Sequence, residues 1–458
     1  MLFNSKHRLL RYLRNLLIFL LVLVVVYAIG RTIHVYLGNF YTGTRAPYLQ
    51  LPAKDAITLR WQTPEKGVAE IRYGFVPEQL VYKVTEQQPT AEHQIRLTGL
   101  RANSRYYYKI SVDGTFLYGG SQYWFETLPK TTPDKISSRF IVLGDPGYEG
   151  SIQSNVRDAI KLWLNDHPRN NQPSFDFLLT TGDNAYRSGS NEQFQKGFFV
   201  PFTDWLQNVP VWPAYGNHDA RRNAFFKIFS LPVNAESGGY PSGTEHYYSF
   251  DVASMHFVML DSQESSLEQN SAQLEWLKKD LQQNKQTWTI VVFHHPPYTR
   301  GSHNSDNKSD SGGRMFRVRE NLLPVLEHAG VDMVLTGHSH MYERSQLMSC
   351  HYGKSDTFTP VMQKTPLMQD NGHSVYYKSK SNHPRSGTIY VVVGSSSKLN
   401  DGPLDHPANT ISLKEAGALV VDVNADTMDV RFINSSAKVL DQFSIKKKEG
   451  YQFSFNCK

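Results

Sequence analysis

Seven side chains able to bind metal stand in five short strings, each directly behind an apolar run. They are Asp145 in GDPG, Asp183 and Tyr186 in GDNAY, Asn217 in GNHD, His294 in VVFHH, and His338 and His340 in GHSH. Carboxylate and phenolate oxygens suit a hard, highly charged cation, whereas imidazole and amide oxygen suit a divalent transition ion. Two ions about 3.5 to 4 Å apart must share a ligand, and a bridging carboxylate does this; Asp183 is the natural candidate. Taken singly, each residue has an ordinary structural reading. An Asp or Asn behind a strand is a turn former or helix N-cap, a lone tyrosine is packing, and a lone loop histidine is a surface residue. The five strings together point to metal chemistry.

The elements that must position them follow from the apolar runs. Residues 140–143, 175–179, 209–214, 288–293 and 331–335 are rich in Val, Ile, Leu and Phe and read as buried strands. Residues 152–164 and 267–281 repeat apolar positions at three and four, which is helical spacing. Strand, loop and helix in alternation predict an α/β sheet whose strand-end loops gather at one edge. All seven residues fall in such loops.

The order D-x-G, G-D-x-x-Y, G-N-H-D, V-x-x-H, G-H-x-H resembles that of purple acid phosphatases, within the calcineurin-like metallophosphoesterases. The resemblance implies an α/β fold of αββα type, a metallophosphoesterase β-sandwich flanked by helices, over residues 137–447. It implies Asp145, Asp183, Tyr186 and His340 around one ion, and Asp183, Asn217, His294 and His338 around the other. A tyrosine ligand sets this family apart from its relatives, so Tyr186 implies Fe(III) at the first site with a divalent ion, Fe, Zn or Mn, at the second.

Three more histidines are candidate catalytic residues. His218 follows a ligand position and remains free to move a proton; His303 lies where the family carries a substrate-binding or proton-donating histidine; His295 adjoins His294. Imidazole titrates near neutrality and suits such roles. His303 stands in a polar run, 301–313, expected to be a mobile loop, and the V-x-x-H spacing favours His294 over His295 as the ligand.

The chain of 458 residues is 40% hydrophobic, with Lys+Arg 48 against Asp+Glu 42, enough for two cores and nearly balanced in charge. Much of the basic excess is Lys6, Arg8, Arg11 and Arg14, so no cluster remains that would argue for nucleic acid. Behind those four, residues 16–29 are almost unbrokenly apolar. The charge bias predicts a cytoplasmic N-terminus with the rest of the chain exported. Residues 1–37 can be a signal peptide, with Ala28 and Gly30 offering cleavage, or an uncleaved anchor if residues 32–37 extend the span and Arg31 snorkels outward; an anchor is the expectation. Cys350 and Cys457 can pair in an exported protein or both be free, and Asn307 and Asn434 begin glycosylation triplets.

Residues 45–130 read as an all-β module, with short alternating segments at 56–61, 69–73, 95–97, 105–111 and 123–127. Trp61 and the approach of Leu97-Thr98-Gly99-Leu100 to Tyr106 and Tyr108 resemble a fibronectin type III sandwich with its tyrosine corner. Residues 129–133 form the linker, 345–385 an insertion or long loop over the site, and 387–393 and 418–433 further strands, the last turning at 424–426. The expected protein is an exported, membrane-tethered dinuclear metallohydrolase in which metal-bound hydroxide attacks phosphate monoesters. A phosphodiesterase or nucleotide pyrophosphatase on the same metals, and a cell-surface binding protein with a vestigial phosphatase fold, are the alternatives.

Overall fold

The computed structural model describes residues 2–129, 137–170, 172–366, 368–370, 373–380 and 383–457; the expected linker beyond residue 129 lies outside them. The chain opens on one helix, Leu2–Leu37. Within it Arg11–Leu37 is long and apolar enough to cross a membrane, with a mean hydropathy of 2.6 over its most apolar window and none of that window buried.

Two antiparallel sheets follow. Arg45–Gln50, Ala56–Gly67 and Thr90–Thr98 make one; Tyr82–Thr85, Ala69–Gly74, Arg105–Val112 and Thr115–Tyr118 make the other, with Trp124–Glu126 also paired to Arg105–Val112. Their inward residues, among them Trp61, Ile71, Leu97, Tyr106 and Phe125, form a core of their own. The Tyr106 hydroxyl accepts the Arg101 N–H at 2.8 Å, which fixes the turn between the sheets. Two aromatic residues of this module reach beyond it: the Tyr48 and Tyr108 hydroxyls donate to the carbonyls of Ile228 and Gln207 at 2.6 and 2.7 Å, docking the module on the larger domain.

The five apolar runs all form strands, and they divide between the two sheets of the expected β-sandwich. Val211–Pro213, Phe177–Thr180 and Ser138–Leu143 run parallel in an eight-stranded sheet, which continues through Gly417–Val423, Thr427–Asn434, Val439–Lys448, His373–Ser379 and Met368–Asp370. Met255–Met259, Trp288–Val292, Met333–Thr336 and Ile389–Val393 run parallel in a seven-stranded sheet. The sheets pack face to face through ring pairs such as Phe140 with Phe257 and Trp212 with Phe250, the latter stacked at 3.8 Å. In the second sheet Ile290, Val292, Met333 and Leu335 face this inner core, while Val291 and Val334 enter a second core beneath the helix Ala272–Gln283. Burial on both faces is why these strands carry runs of consecutive apolar residues.

The helix expected over 267–281 begins at Ala272, because the Ser271 hydroxyl accepts the Leu274 N–H as an N-cap; Leu267 is buried ahead of it. The described residues of 345–385 are placed by contacts away from the candidate ligands. They pack against Tyr298 and Glu327 and supply edge strands to the eight-stranded sheet. Cys350 and Cys457 are disulfide-bonded. Asn434 is buried and its side chain accepts the Ser436 and Lys438 N–H groups, so it closes a turn.

One buried charge couples this fold to pH. His256, 2% exposed, lies between Asp251 and Asp280 at 2.8 Å each. Burial favours neutral imidazole, but the two carboxylates overcome it and lift the group to about 9. A folded pKa above the unfolded value stabilises fully below about 6.5 and is lost as pH rises through about 9. Thermal midpoints should therefore fall between pH 6.5 and 9 in wild type. His256→Asn should be less stable at pH 6 by a few kcal/mol and flatter over that interval; an equally steep pH profile in the variant would remove His256 from this role.

Candidate metal centre

The site lies where the carboxyl edges of the two sheets meet, and glycines let the loops converge. A Cβ on Gly216 would stand 2.2 Å from the Asp183 nitrogen, and one on Gly337 2.3 Å from Asp145 Oδ2. Both lie far inside van der Waals contact, which explains the glycine ahead of Asn217 and His338. Asp145, Asp183 and His338 themselves adopt left-handed φ of 52°, 54° and 65°. For non-glycine residues such backbone is uncommon and is held only by surrounding contacts.

All seven predicted residues converge. The Tyr186 hydroxyl is 3.1 Å from Asp145 Oδ1, from Asp183 Oδ2 and from His340 Nε2. On the other side His294 Nε2 is 2.9 Å from Asn217 Oδ1, 3.2 Å from His338 Nδ1 and 3.4 Å from Asp183 Oδ2. One oxygen, Asp183 Oδ2, is therefore common to both groups.

The donor set fits a pair of cations. His294 Nδ1 faces the Thr181 carbonyl at 2.9 Å, which only accepts, so this nitrogen carries the proton and Nε2 turns a lone pair inward. His340 is turned likewise by Asn400, whose Oδ1 lies 2.5 Å from Nδ1. Lone pairs of imidazole, amide and carboxylate thus point at one another in a buried space, an arrangement that a cation satisfies and water does poorly. Charge says the same. Burial presses His294 toward neutrality, yet Asp183 lifts it to about 9. Burial, then Asp183 and Asp145, hold the Tyr186 proton far above its usual range. Metal binding displaces such protons.

Several supporting residues were missed by sequence reasoning. Asp219, the last residue of GNHD, is fully buried and accepts four N–H groups: those of Asn184, Ala185 and Gly216 and the Asn184 side-chain amide. It ties the GDNAY loop to the GNHD loop. Burial and Asp183 push it up to about 7 against those donors. A sixth loop, behind Ile389–Val393, brings Ser397 to the Asp145 carbonyl and Asn400 to His340. Thr299 donates to Ser339 at 2.9 Å, and Ser302 accepts the His340 N–H at 3.0 Å. A polar string behind an apolar run was the available signal for the sixth loop; the others lack one.

Two of the three candidate catalytic histidines flank the cluster. His218 Nδ1 donates to the Arg187 carbonyl at 2.7 Å, its Nε2 is 3.9 Å from Asp183 Oδ2, and its ring packs on Tyr186 at 4.3 Å. Burial lowers its pKa, partly offset by Asp183. His303 stacks on His338 at 3.9 Å, with Nδ1 on Asp310 at 2.8 Å. The 301–313 run is an internally bonded loop rather than a free one: Asp310 also accepts the Asn304 N–H, and Ser311 meets His338 Nε2 at 2.6 Å. His295 lies behind the ligands, 1% exposed and held by Ser262 at 2.8 Å.

Residues 138–342 match the family model of calcineurin-like phosphoesterases. The chain thus carries a calcineurin-like phosphoesterase domain, the mark of a phosphatase-type enzyme, and its converging donors could hold a pair of metal ions. Within that class the relatives are purple acid phosphatases. Purple acid phosphatase 18 of Arabidopsis thaliana is 29% identical over 336 residues, covering 69% of this chain and 68% of its own length. Purple acid phosphatase 21 of the same plant is 29% identical over 319 residues, 65% of each. The chain thus spans about two thirds of the length of these relatives. Among solved structures, purple acid phosphatase PPD1 from yellow lupin seeds shares the fold at a TM-score of 0.67 and 19% identity, covering 88% of this chain and 75% of that one. PhoD shares it at 0.59 and 13%, covering 88% and 90%.

Proposed function

We propose that this protein hydrolyses phosphate monoesters at a dinuclear centre of Fe(III) and a divalent ion, Fe, Zn or Mn. The observation that carries the dinuclear reading is the shared Asp183 Oδ2, 3.1 Å from Tyr186 on one side and 3.4 Å from His294 on the other. Asp145, Asp183, Tyr186 and His340 would hold the ferric ion; Asp183, Asn217, His294 and His338 the divalent one. When bound, such a pair supplies a nucleophile from water near neutral pH and neutralises the phosphoryl oxygens. The protein's own groups do the rest. His218, oriented by the Arg187 carbonyl, presents Nε2 toward the reacting centre and is suited to protonate the departing alkoxide. His303, oriented by Asp310, stands beside His338 to meet the substrate phosphate. His295, being buried, orients His338 and His294 rather than moving a proton.

Purified, metal-loaded protein should release phosphate from a nitrophenyl monoester much faster than it cleaves the matching diester; a preference for the diester would favour the phosphodiesterase alternative, and no turnover of either the vestigial one. The phenolate reading has its own test. Wild type should be purple or pink by ligand-to-metal charge transfer, and Tyr186→Phe should bleach it; a colourless, active wild type holding only divalent ions would overturn Fe(III). For His218→Ala, kcat should fall more on an alkyl phosphate than on nitrophenyl phosphate, whose leaving group needs no proton, with metal content unchanged. Equal losses on both would sink the proton-donor role.

The helix Leu2–Leu37 we read as a membrane anchor with its N-terminus in the cytoplasm, and residues 45–130 as a fibronectin type III-like module, supported by the Tyr106 corner. The substrate side then faces the extracytoplasmic space.

A further inference from the structure

No spacer separates the apolar helix from the catalytic body. The Gly38 carbonyl accepts the Asn191 N–H at 2.8 Å, Asn39 Oδ1 accepts the Asn223 N–H at 3.0 Å, and the Asn191 side chain donates to the Asn39 carbonyl at 3.3 Å. Asn39 is only 8% exposed. Farther on, Arg45 is fully buried, bonded to Asn191 Oδ1 at 2.5 Å and Gln195 Oε1 at 3.0 Å. Residues 16–37 rise about 33 Å at 1.5 Å per residue, about the hydrocarbon thickness, so Gly38 falls at the outer interface.

The segments that grip Gly38 and Asn39 also carry the site. Asn191 ends the loop that begins at Asp183, and Asn223 lies just beyond Asn217 and His218. His218 Nδ1 and the Arg221 guanidinium share one acceptor, the Arg187 carbonyl, at 2.7 and 3.0 Å. From Arg187 to Asn191 the chain can span at most about 14 Å. The rim between is basic. Arg187, Arg221 and Lys227 are exposed without a carboxylate partner among the described residues, and the Lys227 ammonium sits 5.1 Å over the ring of Phe40, itself 50% exposed. Unpaired cations and a half-exposed aromatic at the level where a span ends suit anionic headgroups.

We infer that the substrate is a phosphate monoester carried by a membrane lipid, whose tail stays in the bilayer that holds this protein's anchor. This rests on the phosphatase and anchor readings above. Water adds to phosphorus, the P–O bond to the lipid alcohol breaks, and the alcohol leaves protonated in the membrane while inorganic phosphate departs. Anchoring enzyme and ester in one surface raises their effective concentration, a gain a soluble ester lacks.

The test uses the full, metal-loaded chain in phosphatidylcholine vesicles containing phosphatidic acid, beside a variant with a flexible Gly/Ser segment of about ten residues inserted between Leu37 and Gly38. Wild type should float with the vesicles and hydrolyse bilayer phosphatidic acid at least about tenfold more efficiently than its short-chain soluble analogue. The insertion should cut the bilayer rate several-fold and leave nitrophenyl phosphate turnover unchanged. Failure to float overturns the anchor reading and this inference with it, and loss of nitrophenyl phosphate turnover in wild type overturns the phosphatase reading. Floating protein that treats both lipids alike, or an insertion that slows both substrates equally, overturns the inference alone. Should the insertion variant fail to fold, the wild-type ratio decides.

Discussion

Asp183→Asn should lower phosphate-ester hydrolysis by roughly three orders of magnitude and reduce bound metal from two ions toward one or none. Asparagine keeps the shape of aspartate and one carbonyl oxygen, so the bond from the His218 N–H at 2.8 Å to Oδ1 can survive. What disappears is the charge on Oδ2, the atom common to the Tyr186 and His294 sides. A shared carboxylate offsets the repulsion between two cations, and a neutral amide does not. Its expected signature is lost metal and turnover with a thermal midpoint of the metal-free protein changed by only a few degrees. Metal analysis, calorimetry and kcat decide it. A variant holding two ions per chain with turnover within about tenfold of wild type would remove Asp183 from the bridging position.

Asp219→Ala should be the most damaging change that touches no candidate ligand. It strips the acceptor from four N–H groups in a fully buried place. Each buried donor left unpaired costs about 1–3 kcal/mol, although an admitted water recovers part of this. A loss of at least about 3 kcal/mol is expected, a large share of the stability of an ordinary domain. Activity should fall with it, since the loops bearing Asp183, Tyr186 and Asn217 are no longer tied. Asp219→Asn retains two acceptor lone pairs and should lie between. Unchanged melting and turnover in Asp219→Ala would show that other contacts hold the two loops.

Sequence alone carried the ligand set because each ligand sits in a local string: an apolar run and then the donor, behind a small residue in every case but His294. Those are properties of five to ten consecutive residues, so Asp145, Asp183, Tyr186, Asn217, His294, His338 and His340 could be named without knowing what they touch, and the V-x-x-H spacing separated His294 from His295. The supporting residues were less legible. Asn400 meets His340 across 60 residues and Ser397 meets Asp145 across 252, and neither contact leaves a local trace.

The same division holds for the fold. Apolar runs read as strands since strands covered on both faces carry runs of consecutive apolar residues. How they pair is a long-range matter: Ser138–Leu143 lies between Phe177–Thr180 and Gly417–Val423, while Trp288–Val292 belongs to the opposite sheet. Residue types and short-range periodicity therefore determined the chemistry available to this protein. Only tertiary packing decided which nitrogen of each imidazole faces the centre, that one oxygen of Asp183 serves both halves, and that the apolar helix ends against the loops bearing His218. The physical reason is that these depend on backbone carbonyls and side chains brought together from distant segments, which no window of sequence contains.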